Sequence, residues 1–449
     1  MNRGKVRGWY WVHKWTSLVC TLFLLILCVT GLPLIFGDEI YHLSTGGVEE
    51  VPPPPPGATP VDLDTFIARA TALYPGDVPL FLGWDADHPT VYVNTGARPD
   101  SPPAEMHTAV FHAFTGERIP VPQFNEGLMY TLFVIHTEMF AGLPGKLFLG
   151  AMGFLFAVAI VSGVVLYAPF MRKLDFGTVR TARSRRLKWL DLHNLLGIVT
   201  AMWAGVVALT GVLNKLVRPL YDSWQAGQLA RMTAPYEGLP PPERFGSIDA
   251  AVAAARAAVP DMRPSVVSYP GTGYSGLHHY GVFMQGDSPL SKRTYQPVLI
   301  DAATSQFTAT AQWPAFMQAL YLSQPLHFGD YGGLPLKIIW ALLTLVTICP
   351  PVERTLSLAR PSPAPDRRAG RRDRERRQDR GRSGQGGGVI PRASRRARRI
   401  FAIPAAIAAV TLIGLIAGLL GDGAADLLSW LALGSCLAVI AWALSARRD

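Results

Sequence analysis

Charge is scarce in this chain, and its gaps are more informative than its amount. Asp, Glu, Lys and Arg make up 16% of 449 residues, against 49% hydrophobic residues. Soluble domains carry about a quarter charged residues. Residues 15–36, 147–168, 194–213, 400–420 and 427–446 contain no charged residue, and 334–349 contain only Lys337. Each run is near the ~20 residues that a helix needs to cross a ~30 Å hydrocarbon core. A soluble globular protein is therefore excluded. Six membrane helices are expected, four in the body of the chain and two at its C-terminal end.

Other absences narrow the chemistry. The four cysteines, Cys20, Cys28, Cys349 and Cys436, all lie within or at the end of apolar runs, so no disulfide framework is expected. No Cys-x-x-Cys-His is present, which excludes covalent haem attachment. There is no P-loop, and no flavin- or nicotinamide-binding unit is expected. No Ala-x-Ala follows the first apolar run, and that run is long for a signal peptide, so it reads as an uncleaved anchor. The net charge of +10 is local: residues 354–399 hold sixteen Arg and four acidic residues, and the rest of the chain is at −2. It points to one disordered Arg-, Pro- and Gly-rich linker that would favour anionic lipid headgroups, and not to nucleic acid.

Loop charges set an orientation. Residues 1–14 hold four basic and no acidic residues, and 169–190 hold seven basic and one acidic. Residues 37–130 hold three basic and thirteen acidic. The N-terminus and the 169–190 loop are expected to be cytoplasmic. The long segments 37–130 and 214–326 are expected outside, the second mainly by alternation of the helices.

Against these absences, one pattern occurs twice. His136 and His327 are each followed, after five residues, by Gly-Leu-Pro-x-Lys, at Gly142–Lys146 and Gly333–Lys337. His13 is followed by Thr30-Gly31, and His193 at the same offsets by Thr210-Gly211. Between them, helical stretches Leu63–Pro75 and Ile248–Pro260 match, each beginning apolar-Asp. Strand-like runs follow at 79–84, 90–94 and 109–114 in the first half, and at 265–269, 280–284 and 295–300 in the second. Residues 9–168 and 189–349 thus read as two copies of one unit: helix out, external α+β module, helix in.

The expected fold is an α-helical integral membrane protein. A duplicated unit would give a four-helix transmembrane bundle with two external α+β modules, and a two-helix hairpin would follow. The divisions are a first transmembrane helix (9–36), module 1 (37–127), a His-bearing segment with helix two (128–168) and a basic loop (169–189). Helix three (190–213), module 2 (214–324) and a His-bearing segment with helix four (325–349) repeat the plan. The linker (350–399) and hairpin (400–446) follow. Cys349-Pro350-Pro351 is expected to stop helix four early.

This topology puts His13 and His193 at the cytoplasmic level and His136 and His327 at the external level. Two histidines facing across a bundle at each level suit b-type haem, whose iron takes an axial imidazole on each face. Two haems, one near each face, would form an electron path. A zinc or copper site suits two histidines per level less well, because structural zinc prefers four ligands. The remaining histidines carry weaker patterns. His107 and His112 are expected on exposed loop and strand, and His278-His279 in a Gly-rich loop. His42 and His88 show no pattern.

The stretches His13-Lys-Trp15, Asp191-Leu-His193 and Pro325–Gly333, with Phe114-Thr-Gly-Glu117 closing a module, resemble the PepSY-associated transmembrane family over about residues 9–349. The resemblance implies PepSY-like periplasmic modules, a bacterial inner-membrane location and haem ligation by the four histidines. It also implies ferric-siderophore reduction in iron uptake, because oxygen chelators hold Fe(II) less tightly than Fe(III). Electrons would enter at His13 and His193 from a quinol or a separate cytoplasmic donor. They would leave from His136 and His327 to a ferric chelate, with Glu138, Trp313, Gln324 and His278 as acceptor-site candidates. The other reading is a non-enzymatic PepSY membrane protein that binds a periplasmic partner such as a protease. Ser305 stands where the module's usual Gly would be, and the linker and hairpin have no family counterpart.

Overall fold

The apolar runs become long helices in a computed structural model that describes residues 3–45, 51–85, 88–181, 184–288, 290–358 and 392–446. In chain order the first elements are α1 (Arg3–Ile35), α2 (Gly37–Thr45), α3 (Leu63–Leu73), β1 (Val78–Trp84), β2 (Thr90–Gly96), β3 (His107–His112) and β4 (Arg118–Ile119). Then come α4 (Gly127–Glu138), α5 (Gly142–Phe170), α6 (Arg185–Lys215), α7 (Val217–Trp224), α8 (Ala230–Thr233) and α9 (Ile248–Ala258). The last are β5 (Arg263–Ser268), β6 (His279–Gln285), β7 (Gln296–Asp301), β8 (Phe307–Thr310), α10 (Ala315–Phe328), α11 (Gly333–Leu358), α12 (Arg392–Leu420) and α13 (Ala424–Ser445).

Among the described residues, five helices are long and apolar enough to cross a membrane, or six if α10 and the first part of α11 count as one bent span. The chain is a multi-pass membrane protein. The bend between α10 and α11 is 76°, and a matching break separates α4 from α5. Each break uses left-handed backbone. Met139, Phe140 and Gly142 have φ of 53°, 59° and 58° in the first, and Gly329 and Gly333 have 73° and 63° in the second. The repeated Gly-Leu-Pro phrase is thus a helix restart. Gly takes the positive φ, and Pro in the new first turn lacks an amide that would have no helical partner there.

Two helix limits differ from expectation. Helix α6 starts at Arg185 because the Ser184 hydroxyl accepts from the Leu187 amide at 3.3 Å, so His193 lies two turns in. Helix α11 does not stop at Pro350; it continues to Leu358. A proline pair removes amide donors, but its fixed φ near −65° is itself helical. The Arg-rich segment is helical at both ends, in α11 and α12, and its expected disorder over 359–391 lies outside the described residues.

The strands form one antiparallel sheet, ordered β4-β3-β2-β1-β5-β6-β7-β8. The two expected modules are therefore joined edge to edge through β1 and β5, where Leu82 faces Val267. Helices α3 and α9 cover one face with a shared core that includes Phe66, Phe111, Ile248, Val282 and Ile300. Burying each such side chain contributes about 1.5–3 kcal/mol. The second half is also covered on its other face, where Phe283 and Leu299 pack against Tyr221, Trp224, Trp313, Met317 and Leu320 of α7, the segment after β8 and α10. This stacks the sheet on the helix bundle. Helices α12 and α13 pack on α6 and α11 around Leu336, Trp340, Leu415, Leu433 and Cys436. Cys20, Cys28 and Cys436 carry free thiols.

Candidate functional site: two pairs of facing histidines

The four patterned histidines meet in two pairs. His13 of α1 faces His193 of α6 with ring centres 6.1 Å apart and planes at 59°. His136 of α4 faces His327 of α10 with ring centres 6.3 Å apart and planes at 55°. The two pairs are near copies of one geometry. Thr30, which touches His136, is seventeen residues beyond His13 on α1. At 1.5 Å per residue the pairs are about 25 Å apart along the helix axis, close to the ~30 Å of a hydrocarbon core.

The rings are held from behind. Nδ1 of His13 lies 2.9 Å from the Ala159 carbonyl and 3.2 Å from the Ser162 hydroxyl of α5. Nδ1 of His327 lies 2.9 Å from the Val207 carbonyl of α6. Nδ1 of His136 lies 3.1 Å from the Thr30 hydroxyl of α1. A carbonyl acceptor keeps the proton on Nδ1 and leaves the lone pair on Nε2, the usual arrangement behind a metal-ligating imidazole. Glycines make room for three of the rings. A Cβ on Gly163 would lie 3.1 Å from His13 Cε1, one on Gly31 3.1 Å from His136 Cε1, and one on Gly211 2.8 Å from His327 Cε1.

Iron held by an imidazole nitrogen at about 2 Å on each face sets two ring centres about 6 Å apart. Both pairs meet that spacing, and the glycine seats and Nδ1 acceptors fit it. Each pair supplies two nitrogens and no thiolate, a donor set suited to a six-coordinate haem.

The acceptor-site candidates do not form such a constellation. Glu138 is engaged with Lys146 in a 3.0 Å ion pair that closes the α4–α5 break. Trp313 is buried among Tyr295, Tyr321, Trp224 and Phe283. Gln324 lies on α10, three residues before His327. His278 sits just before β6, its Nε2 3.2 Å from the Leu239 carbonyl and its ring beside Tyr236.

Two other histidines correct the sequence reading. His112 is buried, with Nε2 2.9 Å from the Pro52 carbonyl and Nδ1 accepting from the amides of Phe114 and Thr115. In the second half Asp301 takes that turn role for Ala303 and Thr304. His279 is a buried strand residue, not a loop residue. Burial opposes ionisation of Asp301, but bonds from Thr304, Tyr236 and Ala303 outweigh it and hold the carboxyl below its usual range. Ser305 adopts the left-handed φ of 56° expected of the missing Gly, and its hydroxyl bonds the Ser247 carbonyl at 3.0 Å.

Sequence reading missed Ala159, Ser162 and Gly163, which seat His13. They are small residues inside a long apolar run and carry no spacing signal. Thr30-Gly31 and Thr210-Gly211 were visible as a motif, but their partners were not: Thr30 and Gly31 serve His136 and Gly211 serves His327, not the histidines from which they were counted.

A family model of the PepSY-associated TM region matches residues 10–352, a span that includes all four histidines. An uncharacterised protein of Pseudomonas aeruginosa is 25% identical over 221 residues, covering 45% of this chain and 54% of that protein. The chain thus spans about half the length of the curated relative it matches. With bundle, sheet and motif histidines inside the matched span, the chain belongs to the PepSY-associated transmembrane family.

Proposed function

We propose that this protein is a di-haem electron carrier of the bacterial inner membrane that delivers electrons to a ferric chelate, such as a ferric siderophore, on the sheet side. The observation that carries the reading is the pair of nearly identical histidine geometries, 6.1 Å and 6.3 Å between ring centres, about one membrane thickness apart. His13 and His193 would hold one b-type haem, and His136 and His327 the other. Bound haem would supply reversible one-electron chemistry at each level. The protein's own part is to fix the imidazoles of His13, His136 and His327 through α5, α1 and α6.

The excess of basic residues in 1–14 and 169–190 supports a cytoplasmic N-terminus and a periplasmic sheet. A quinol or separate cytoplasmic donor would then serve the His13–His193 level. The Gly-x-Gly-x-x-Gly at Gly271–Gly276 joins strand β5 to strand β6 and opens no helix, so it is not the arrangement that cradles a nicotinamide or flavin donor.

The test is a reduced-minus-oxidised absorption spectrum of the detergent-purified protein, with haem counted as pyridine haemochrome. Two low-spin b haems per chain are expected. A colourless protein from haem-sufficient cells would remove the electron-transfer reading and leave the sheet as a partner-binding module.

A further inference from the structure

We infer that the α12–α13 hairpin, which lies outside the family-matched span, clamps the elbow that carries His327, and that Trp430 and Arg293 are positioning residues for the outer histidine pair. The inference rests on the reading of His327 as an axial ligand.

A helix broken at membrane depth leaves backbone carbonyls without helical partners, and an unpaired carbonyl in an apolar setting is costly. At the α10–α11 break the Gly332 carbonyl accepts from the Trp430 indole Nε1 of α13 at 2.9 Å. Gly332 is packed too closely for a side chain: a Cβ there would lie 2.8 Å from Leu336 Cδ2 and 3.3 Å from Trp430 Nε1. Its neighbour Tyr331 is buried against α12, where a Cβ on Gly418 would lie 2.7 Å from the Tyr331 ring and 2.8 Å from the Ser429 hydroxyl.

The hairpin tip is in turn tied to the sheet. Lys292 pairs with Asp422 at 2.6 Å. Arg293 Nε donates to the Leu419 carbonyl at 3.1 Å, capping the end of α12, while its guanidinium lies 5.7 Å from the Tyr331 ring centre. Hairpin, sheet turn and elbow therefore meet at Tyr331-Gly332, five residues from His327.

The other elbow shows why the clamp is needed on this side. Lys146 closes the α4–α5 break locally by pairing with Glu138, eight residues earlier, and the Ala141 amide bonds the Glu138 carbonyl at 2.9 Å. The residue eight before Lys337 is Gly329, which offers no carboxylate. Lys337 turns instead to Asp38 and Glu39 after α1, at 3.1 Å and 3.0 Å. Among the described residues no ion pair closes the second elbow within itself, although Asp330 faces Arg293 and Lys337, and the hairpin adds a tie from outside.

The experiment compares full-length wild type with Trp430→Phe, which keeps an aromatic ring and loses the N–H, and with Trp430→His, which keeps a donor. Asp422→Asn at the exposed tip is a milder second variant. Hydrogen exchange followed by mass spectrometry should quicken about fivefold in residues 329–334 of Trp430→Phe, less in Asp422→Asn, and return toward wild type in Trp430→His. In the haem-loaded protein, redox titration should show one of two potentials shifted in Trp430→Phe and the other unchanged. Unchanged exchange at 329–334, or equal shifts of both potentials, would overturn the clamp. If wild type binds no haem, the electron-transfer reading fails while the exchange rates still decide the clamp.

Discussion

Asp64 and Asp249 cap each other's helices. Asp249 Oδ2 accepts from the Leu63 and Asp64 amides at 2.7 Å and 3.2 Å at the start of α3, and Asp64 Oδ1 accepts from the Ile248 amide at 3.0 Å at the start of α9. The two halves of the sheet layer are thereby joined by exchanged carboxylates as well as by the β1–β5 ladder. Carboxylates at helix N-termini are favoured by the free amides and the helix dipole. Asp249→Ala should lower stability by about 1–2 kcal/mol, and Asp249→Asn by less because it keeps an acceptor. Thermal unfolding of the detergent-solubilised protein checks both. Asp62, Asp64 and Asp249 lie close enough to suggest a cation site, but capping already accounts for two of them. Chelators should leave the melting temperature unchanged.

These caps show where sequence legibility ends. That Leu63 and Ile248 each begin a helix, with Asp one residue on, was readable from the repeat. That each Asp serves the other helix was not, because residues 186 apart met only once the sheet joined. The same division holds at the histidines. That the four would meet two and two was readable from their duplicated spacing and from the apolar run lengths, which are local signals. The Ser162-Gly163 seat and the Trp430 contact depend on helix–helix register, which small apolar residues do not announce. Pro350 misled because proline's missing amide was weighed above its helical φ.

The histidine pairs sort variants by level. His13→Ala or His193→Ala should remove one haem and leave the other spectrum intact. His136→Ala or His327→Ala should remove the second. Pyridine haemochrome should fall from two haems per chain to one in each single variant, and to none in His13→Ala/His136→Ala. A variant losing both haems while still folded by circular dichroism would break the assignment of pairs.

The glycine seats make a subtler separation. Gly211→Ala would put a methyl 2.8 Å from His327 Cε1, and Gly163→Ala one 3.1 Å from His13 Cε1. Neither contact is tolerable without a ring shift. Gly211→Ala should perturb only the outer haem and Gly163→Ala only the inner one, read as a shift of one of two reduction potentials. Loss of an outer-shell support typically weakens metal retention about 10- to 100-fold, so haem loss to apomyoglobin should quicken at the same level.

Acid should weaken the sheet before it unfolds the helices. His279 is buried on β6 beside Tyr236, and its Nε2 has no partner among the described residues. Burial first, and then His278, push its imidazole down to about 4, against the pull of Asp301. Above the ordinary value of about 6.5 the ring is neutral folded and unfolded, and makes no pH-dependent contribution. Between about 6.5 and 4 the unfolded chain takes up a proton that the folded sheet refuses, so stability falls as pH drops through that window. The loss grows toward pH 4, and below it the folded ring protonates too and the contribution levels off. His279→Leu should flatten this part of the profile. Melting temperatures of wild type and variant from pH 7.5 to pH 4 provide the comparison, and parallel curves would mean that the ring is charged inside the fold.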